Sequence, residues 1–324
     1  MRFTNRNEFL EGAKGDLAGP NMDKLYYLLG MAVKTNNKKL LDYENFVKIG
    51  AENNRRRINM KEYAKLLKKA YTFWYYHALK ERFENPQTPG QRERIKEEIF
   101  DIDRLKPENI KDEDIFDICS YFEDRFVGGL KFPTYFQDKY FCHLYVNELL
   151  PELKEKEKFT EVRLYLSIKV DNVVKLTDIL IDNAIKNKVP FVIKFAIHDN
   201  RNDNYVIYTD YDNIKNVVDL IEITKRENPH LFDGCKVKNP LIATYKKYIG
   251  FGEEPFLFGS YNSVRVDALL DAYNELRKKY CKDNKSLTVD NIKKELKIAC
   301  EKLWIDSDNF CMNSKNKYKE YNRC

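Results

Sequence analysis

The spacing of apolar residues changes near the middle of the chain. In the first half they recur at the spacing of an α-helix, for example in 21–35 and 59–83. From residue 163 onward the chain alternates between apolar and polar residues, with Leu164, Leu166 and Ile168 on one face. This change of period predicts an α+β protein: a helical N-terminal half followed by a small mixed or antiparallel sheet with packing helices.

The same pattern predicts the remaining elements. The first half carries further helical segments at 112–126 and 135–150, with Gly128 and Gly129 as a turn between them. The second half reads as strand, helix, strand, strand, helix, an optional strand and two closing helices. Its predicted strands are 163–169, 190–198 and 204–209, and its predicted helices are 171–188, 210–227, 260–280 and 288–304.

A charged connector, PELKEKEKF at 151–159, is the predicted domain boundary. A mainly helical domain would then occupy residues 1–155, and a second domain, which carries the sheet, residues 156–324. The chain of 324 residues is long enough for about two domains of ordinary size.

Composition and charge exclude several classes of protein. Hydrophobic residues make up 43% and charged residues 33%, so the chain can bury a core. No segment approaches the ~18 consecutive apolar residues of a membrane span. The net charge of +6 suits an anionic partner. The densest basic run, Arg55–Arg57, is interpreted as the solvated start of a helix rather than a nucleic-acid patch.

Cysteine and histidine give no sign of a metal site. The seven Cys are scattered and never form a C-x-x-C pair, and the four His have no metal-ligand spacing. We therefore expect reduced thiols, a cytosolic location and no metal ion.

One charged residue, Lys194, lies in the middle of an otherwise apolar strand, PFVIKFAIH. An unpaired buried ammonium group is very costly, so this lysine must reach water, pair with an anion or lose its proton. On the pattern alone, the favoured interpretation is a lysine of an edge strand, paired with Asp203 or Asp210.

A chemically richer interpretation follows from the faces of the three predicted strands. If their apolar faces pack on the helices, the opposite face gathers a cationic set with phenols: Arg163, Tyr165, Lys194 and Tyr208, with Arg201 and Asp203 at the rim. Guanidinium and ammonium groups bind phosphate dianions, and a lysine among other cations has a lowered pKa and can act as a base. The set therefore suits removal of a Cα proton with loss of phosphate from phosphoserine or phosphothreonine.

Five short segments resemble the motifs of the HopA-like family in their order and spacing. They are RLYLSIK, VPFVIKF, RNDNYVIY, NPHLF and SYNSVR, and the match covers about 163–275. This family includes a plant-pathogen type III effector and the lyases of class V lanthipeptide and thioamitide pathways. Its wider relatives are the phosphothreonine lyases.

The resemblance implies a role for each matched residue. Lys194 would be the general base that takes the Cα proton, and Tyr165 stands where the wider relatives have their acid histidine. Asp203 and Tyr208 would orient the base and the arginines. The phosphate would be bound by three arginines: Arg163, Arg201 and Arg265.

Two departures from the family pattern stand out. The segment SYNSVR resembles the family motif S-F-G-x-x-R but lacks its glycine, because Asn262 occupies that position. Tyr165 also stands where the wider relatives have a histidine. The identity of the acid that protonates the leaving phosphate therefore stays open between Tyr165, His198 and no side chain at all.

The function that the resemblance implies is that of a metal-independent carbon–oxygen lyase. It would eliminate phosphate from a phosphorylated ribosomal precursor peptide, leaving dehydroalanine or dehydrobutyrine in lanthipeptide-type biosynthesis. A separate Ser/Thr kinase would phosphorylate the peptide, because this chain has no Gly-rich loop, H-R-D or D-F-G motif. Residues 1–155 would bind the leader peptide or a partner.

No cofactor, nucleic acid or membrane is expected in this function, and the expected location is the bacterial cytoplasm. The alternative is a HopA-like module that binds a phosphopeptide or a host protein without catalysis. The oligomeric state and any role in ring formation stay open.

Overall fold

The computed structural model describes residues 2–48, 161–196, 201–256, 259–280 and 286–315, with short pieces between 58 and 70, Gly90 and four strand segments between 126 and 145. The helices are α1 (Arg2–Gly12), α2 (Met22–Thr35), α3 (Tyr43–Lys48), α4 (Val170–Asn187), α5 (Ile214–Glu227), α6 (Tyr261–Tyr280) and α7 (Val289–Lys302). Two short 3-10 helices are Lys38–Leu41 and Pro229–Phe232. Among these described residues, no helix is both long and apolar enough to cross a membrane.

The strands are β1 (Leu17–Ala18), β2 (Phe126–Val127), β3 (Leu130–Lys131), β4 (Thr134–Gln137), β5 (Phe141–Tyr145), β6 (Val162–Leu166), β7 (Val192–Ala196), β8 (Tyr205–Thr209), β9 (Ala243–Tyr245) and β10 (Ile249–Glu253). Eight of these described strands form one sheet in the order β1-β9-β10-β6-β8-β7-β5-β4. Every pairing in it is antiparallel. The predicted α+β class is therefore confirmed, and the sheet is larger than the small one expected.

One face of the sheet is apolar and packs on helices, because alternate residues of each strand point the same way. Leu164, Ile193 and Ile207 lie opposite one another on this face and are fully buried. Helix α4 contacts it where the hydroxyl of Thr177 lies 3.0 Å from that of Tyr205. The opposite face is therefore the one on which the cationic residues lie.

The N-terminal segment belongs to the same core as the second half of the chain. Strand β1 pairs with β9, and in α1 the buried Arg6 forms an ion pair with the buried Glu253. Strand β5 also precedes the predicted boundary, yet it pairs with β7 in the main sheet. The described parts of 1–155 and 156–324 thus contribute strands to one sheet and side chains to one hydrophobic core.

The prediction of a helix over 135–150 is wrong, because its described parts are strands β4 and β5. In β5 the fully buried side chains of Cys142 and Leu144 alternate with those of Phe141 and His143, which point to the opposite face, as expected of a strand. That period was hidden because aromatic and apolar residues stand on both faces of this strand. The predicted optional strand is in fact a hairpin, β9–β10.

The other predicted helices and strands of the second half are present within a few residues of their expected ends. The predicted helix over 112–126, except for Phe126, lies outside the described residues, as do parts of 59–83 and the turn at Gly128 and Gly129. Within 59–83 the described pieces 61–63, 65–66 and 69–70 are helical.

Gly252 is required by a close approach of helix α6 to the sheet. A Cβ atom at this position would lie 2.6 Å from Cζ and 2.8 Å from the hydroxyl oxygen of Tyr261, a fully buried side chain held by the carbonyl of Leu241. We expect Gly252→Ala to lower the free energy of unfolding by roughly 1–3 kcal/mol through overpacking. The matched control is Gly12→Ala, which has open space around its Cβ. Equal denaturant midpoints for the two variants would contradict this packing.

Candidate functional site

The sheet register brings the predicted cationic residues to one face. Arg163 of β6 lies directly opposite Tyr208 of β8, and Lys194 of β7 lies opposite Val206. Directly opposed residues of antiparallel strands carry their side chains on the same side of the sheet. Arg163, Lys194 and Tyr208 therefore share the face that the sequence assigned to them.

Lys194 lies on a central strand of the sheet rather than on an edge. Strand β7 is flanked by β8 and by β5, so the interpretation of Lys194 as an edge-strand lysine does not apply. The Nζ atom of Lys194 lies 4.3 Å from the ring centroid of Phe141, and the guanidinium carbon of Arg201 lies 5.0 Å from the same centroid. Two cations thus share one aromatic ring.

This environment disfavours the charged form of Lys194. Burial of the ammonium group, followed by the nearby charges of Arg163 and Arg201, lowers the pKa of Lys194 from its ordinary value of 10.5 to about 8. The carboxylates of Asp203 and Glu254 act in the opposite direction and do not outweigh these causes. Lys194 therefore loses its proton at a lower pH than an ordinary lysine.

Arg201 is held in place by hydrogen bonds to Asp203 and Tyr43. Its Nε and Nη2 donate to the two carboxylate oxygens of Asp203, at 2.9 and 3.1 Å, and Nη2 also donates to the hydroxyl of Tyr43 at 2.7 Å. Asp203 in turn accepts a hydrogen bond of 3.0 Å from the side-chain amide of Asn262. Burial would lower the pKa of Arg201, but the adjacent Asp203 raises it overall, so this guanidinium stays charged.

Asn262 also belongs to the site. It lies in the segment SYNSVR, and its amide binds the carboxylate that orients Arg201. Asn262 therefore adds a contact to the site.

Arg163 has a corresponding acidic partner. Its Nε and Nη2 donate to the two carboxylate oxygens of Glu254, which follows directly after β10. Its guanidinium carbon lies 4.9 Å from the ring centroid of Tyr208. Both arginines of the site are thus oriented by a carboxylate through two donors, and Tyr208 packs against one of them.

Two residues with implied roles are buried and pack on Tyr261. Arg265 is fully buried: its guanidinium lies 4.2 Å from the ring centroid of Tyr261 and donates to the carbonyl oxygen of Phe310 at 3.3 Å. Tyr165 is only 3% exposed, and its ring lies 5.8 Å from that of Tyr261. Arg265 therefore links α6 to the backbone carbonyl oxygens of Phe310 and Glu253.

His143 is a residue of the site that the sequence pattern missed. It lies directly opposite Lys194 in the pairing of β5 with β7, and its ring stacks at 6.4 Å on that of Tyr208. His198, the other histidine considered from the sequence, lies outside the described residues.

Five residues of the site were not predicted, namely Tyr43, Phe141, His143, Glu254 and Asn262. Phe141 and His143 lie in FCHLY, whose alternation is obscured by aromatic and apolar residues on both faces. Asn262 lies within the segment SYNSVR. Tyr43 and Glu254 carry no signal in the local sequence, because contacts distant in sequence bring them to Arg201 and Arg163.

The charges around Lys194 give a prediction with a definite sign. By NMR titration of the lysine side chains, we expect one lysine to titrate near 8, and Lys194→Met to remove its signal. Arg163→Met should raise this pKa, because a nearby positive charge is lost and Glu254 loses its partner. Asp203→Asn should lower it, because a negative charge is lost. Shifts of the opposite sign would contradict the site.

No family model matches the chain, and no curated protein matches it. Two solved structures are similar over most of its length. An effector protein from Pseudomonas syringae pv. tomato strain DC3000 is 12% identical, with 97% of this chain and 98% of that chain covered and a TM-score of 0.49. An effector protein from Pseudomonas syringae pv. syringae strain 61 is 13% identical, with coverages of 91% and 97% and a TM-score of 0.45.

Proposed function

We propose that this chain is a phosphoserine/phosphothreonine lyase that acts on a phosphorylated ribosomal precursor peptide. The observation that supports this most strongly is Lys194, whose pKa is lowered to about 8 by burial and by Arg163 and Arg201. A base of this kind beside two fixed cations suits a substrate that carries both an acidic Cα–H bond and a phosphate.

The arginines are arranged so that they can still bind a phosphate. Both use Nε and Nη2 for their carboxylate partners, which leaves the Nη1 donors to a ligand. Arg201 is 19% exposed at its side chain and Arg163 12%, so each is largely desolvated. Charge-assisted hydrogen bonds from such donors are strong and geometrically selective.

The reaction then proceeds without a change of oxidation state. The neutral amine of Lys194 takes the Cα proton, and the electron pair of that C–H bond forms the Cα=Cβ double bond. The Cβ–Oγ bond breaks, and its electron pair leaves with the phosphate. The products are inorganic phosphate and dehydroalanine or dehydrobutyrine in the peptide.

The proposed reaction depends on a second enzyme that phosphorylates the peptide. A separate Ser/Thr kinase would supply the phosphopeptide in the bacterial cytoplasm, and this chain would require no cofactor. We expect the rate of elimination to be unchanged by EDTA, because the base and the phosphate contacts are side chains. Strong inhibition by the chelator would contradict this part of the proposal.

The test of the function is to incubate the chain with a phosphoserine- or phosphothreonine-containing precursor peptide and to follow the peptide by mass spectrometry. We expect loss of the elements of phosphoric acid, and a product that adds thiols. Removal of phosphate with the hydroxyl left behind would indicate a phosphatase instead. Tight binding of the phosphopeptide without any turnover would support the alternative, a non-catalytic phosphopeptide-binding module.

A further inference from the structure

The elimination needs a proton donor as well as a base, because a phosphate that leaves with a full extra negative charge is a poor leaving group. General acid catalysis by a positioned side chain contributes about 10²–10⁴-fold to such steps. The donor must lie on the same face of the sheet as Lys194 and within reach of a phosphate bound by the arginines.

His143 meets the requirement of position. It is the direct neighbour of Lys194 across the β5–β7 pairing, where side chains of opposed residues lie side by side on one face. Phe141, two residues before it on β5, carries both Lys194 and Arg201 over its ring. Strand β5, which carries His143, therefore lines the site.

His143 and Arg163 both contact the ring of Tyr208. The imidazole stacks on Tyr208 with an interplanar angle of 20°, and Arg163 packs on that same tyrosine. Tyr208 thus lies between the imidazole and Arg163, so the phosphate that His143 could reach is one held beside Lys194 and Arg201, near the ring of Phe141. Imidazole is the side chain best suited to exchange a proton near neutral pH.

The alternative donor, Tyr165, is placed less well. Val206 of β8 lies between it and Lys194 in the sheet, whereas His143 is an immediate neighbour. Burial raises the pKa of Tyr165 well above its usual range, which makes its phenol harder to ionise. Its hydroxyl is enclosed and has no hydrogen-bond partner among the described residues.

We propose that His143 is the general acid of the elimination and contacts the leaving phosphate at its bridging oxygen. This inference rests on the proposed lyase function. As Lys194 takes the Cα proton and the Cβ–Oγ bond breaks, the imidazolium of His143 donates its proton to that oxygen. The imidazole is left neutral and Lys194 charged, and a proton exchanged through solvent restores both groups.

The first measurement separates chemistry from binding. We expect His143→Gln to lower kcat for a phosphoserine peptide about 100-fold or more. The dissociation constant for the peptide and the melting temperature should stay close to those of the wild type, since the proton is needed only as the bond breaks. The matched control is His230→Gln, which removes an exposed histidine of the 3-10 helix Pro229–Phe232 and should leave kcat unchanged.

The second measurement tests proton donation itself. Sulfate is a much weaker base than phosphate and leaves without a proton, so a sulfoserine peptide reports on the base and the arginines but not on the acid. His143→Gln should therefore lose far more activity on the phosphoserine peptide than on the sulfoserine peptide.

Each other result overturns the inference. A parallel loss of activity on both peptides, or a parallel loss of binding and melting temperature, would make His143 a structural residue. A selective loss in Tyr165→Phe, with His143→Gln as active as the wild type, would assign the acid to Tyr165. An active wild type with either result would leave the lyase function in place, whereas a wild type that eliminates nothing would overturn both proposals.

Discussion

Lys194→Arg is expected to abolish elimination while the chain still folds and binds the phosphopeptide. A guanidinium keeps the positive charge but cannot lose its proton in the working pH range, so it cannot take the Cα proton. We expect the rate of alkene formation, followed by mass spectrometry, to fall about 10³-fold or more. The rate of alkene formation by Lys194→Met should fall as far, because this variant also lacks the base.

The matched control for this prediction is Lys175→Arg, a substitution of the same type on the exposed surface of α4. It should leave the rate unchanged. A fully active Lys194→Arg protein would contradict the assignment of Lys194 as the base, since a purely electrostatic or structural role tolerates arginine.

Stability provides an independent check on Lys194. Its folded-state pKa of about 8 lies below the ordinary value of 10.5, so between these values the unfolded chain binds more protons than the folded one. The free energy of unfolding therefore rises with pH across this window, and the charged lysine destabilises the fold below it. Lys194→Met should be no less stable than the wild type at neutral pH, as thermal unfolding would show.

The second large effect concerns the arginines of the site. Arg163→Met and Arg201→Met should each weaken binding of the phosphopeptide by roughly 1.5–3 kcal/mol, or about 10–150-fold in the dissociation constant, because a charge-assisted contact is lost. Calorimetric titration with phosphorylated and unphosphorylated forms of one peptide measures this directly. The preference for the phosphorylated form should shrink in both variants.

Two controls make the arginine result specific. Arg226→Met, on the exposed face of α5, should not change the preference. Because Arg201→Met leaves Asp203 without its main partner, the double variant Arg201→Met with Asp203→Asn should recover stability but not binding. Unchanged binding in both single variants would place the phosphate elsewhere.

Much of the fold could be predicted where one face of an element is polar. Strand β6 and helix α4 have a clear period; the ends of α4 were predicted within one residue and those of β6 within three. Strand β5 was not, because it carries aromatic or apolar residues on both faces and so resembles a segment of buried helix. The hairpin β9–β10 is short and rich in glycine, and these features weaken the strand signal.

The site was predictable to the extent that strand alternation sets which face a residue occupies. Lys194, Arg163 and Tyr208 share a face for this reason. Alternation does not report depth, so it could not show that Tyr165 is buried against Tyr261. Arg265 was expected at the site from the motif resemblance alone, and it packs on Tyr261 as a fully buried residue of α6. Glu254 and Tyr43 depend on tertiary contacts that no local pattern encodes.

The measurement that tests the lyase mechanism most directly uses a phosphoserine peptide with deuterium at Cα. We expect that the product made by the wild type has lost both phosphate and the deuterium, that the Cα label slows the reaction, and that Lys194→Arg forms no such product. A product that has lost phosphate but keeps its deuterium and gains a hydroxyl would contradict this mechanism, because the Cα–H bond would then take no part in the reaction.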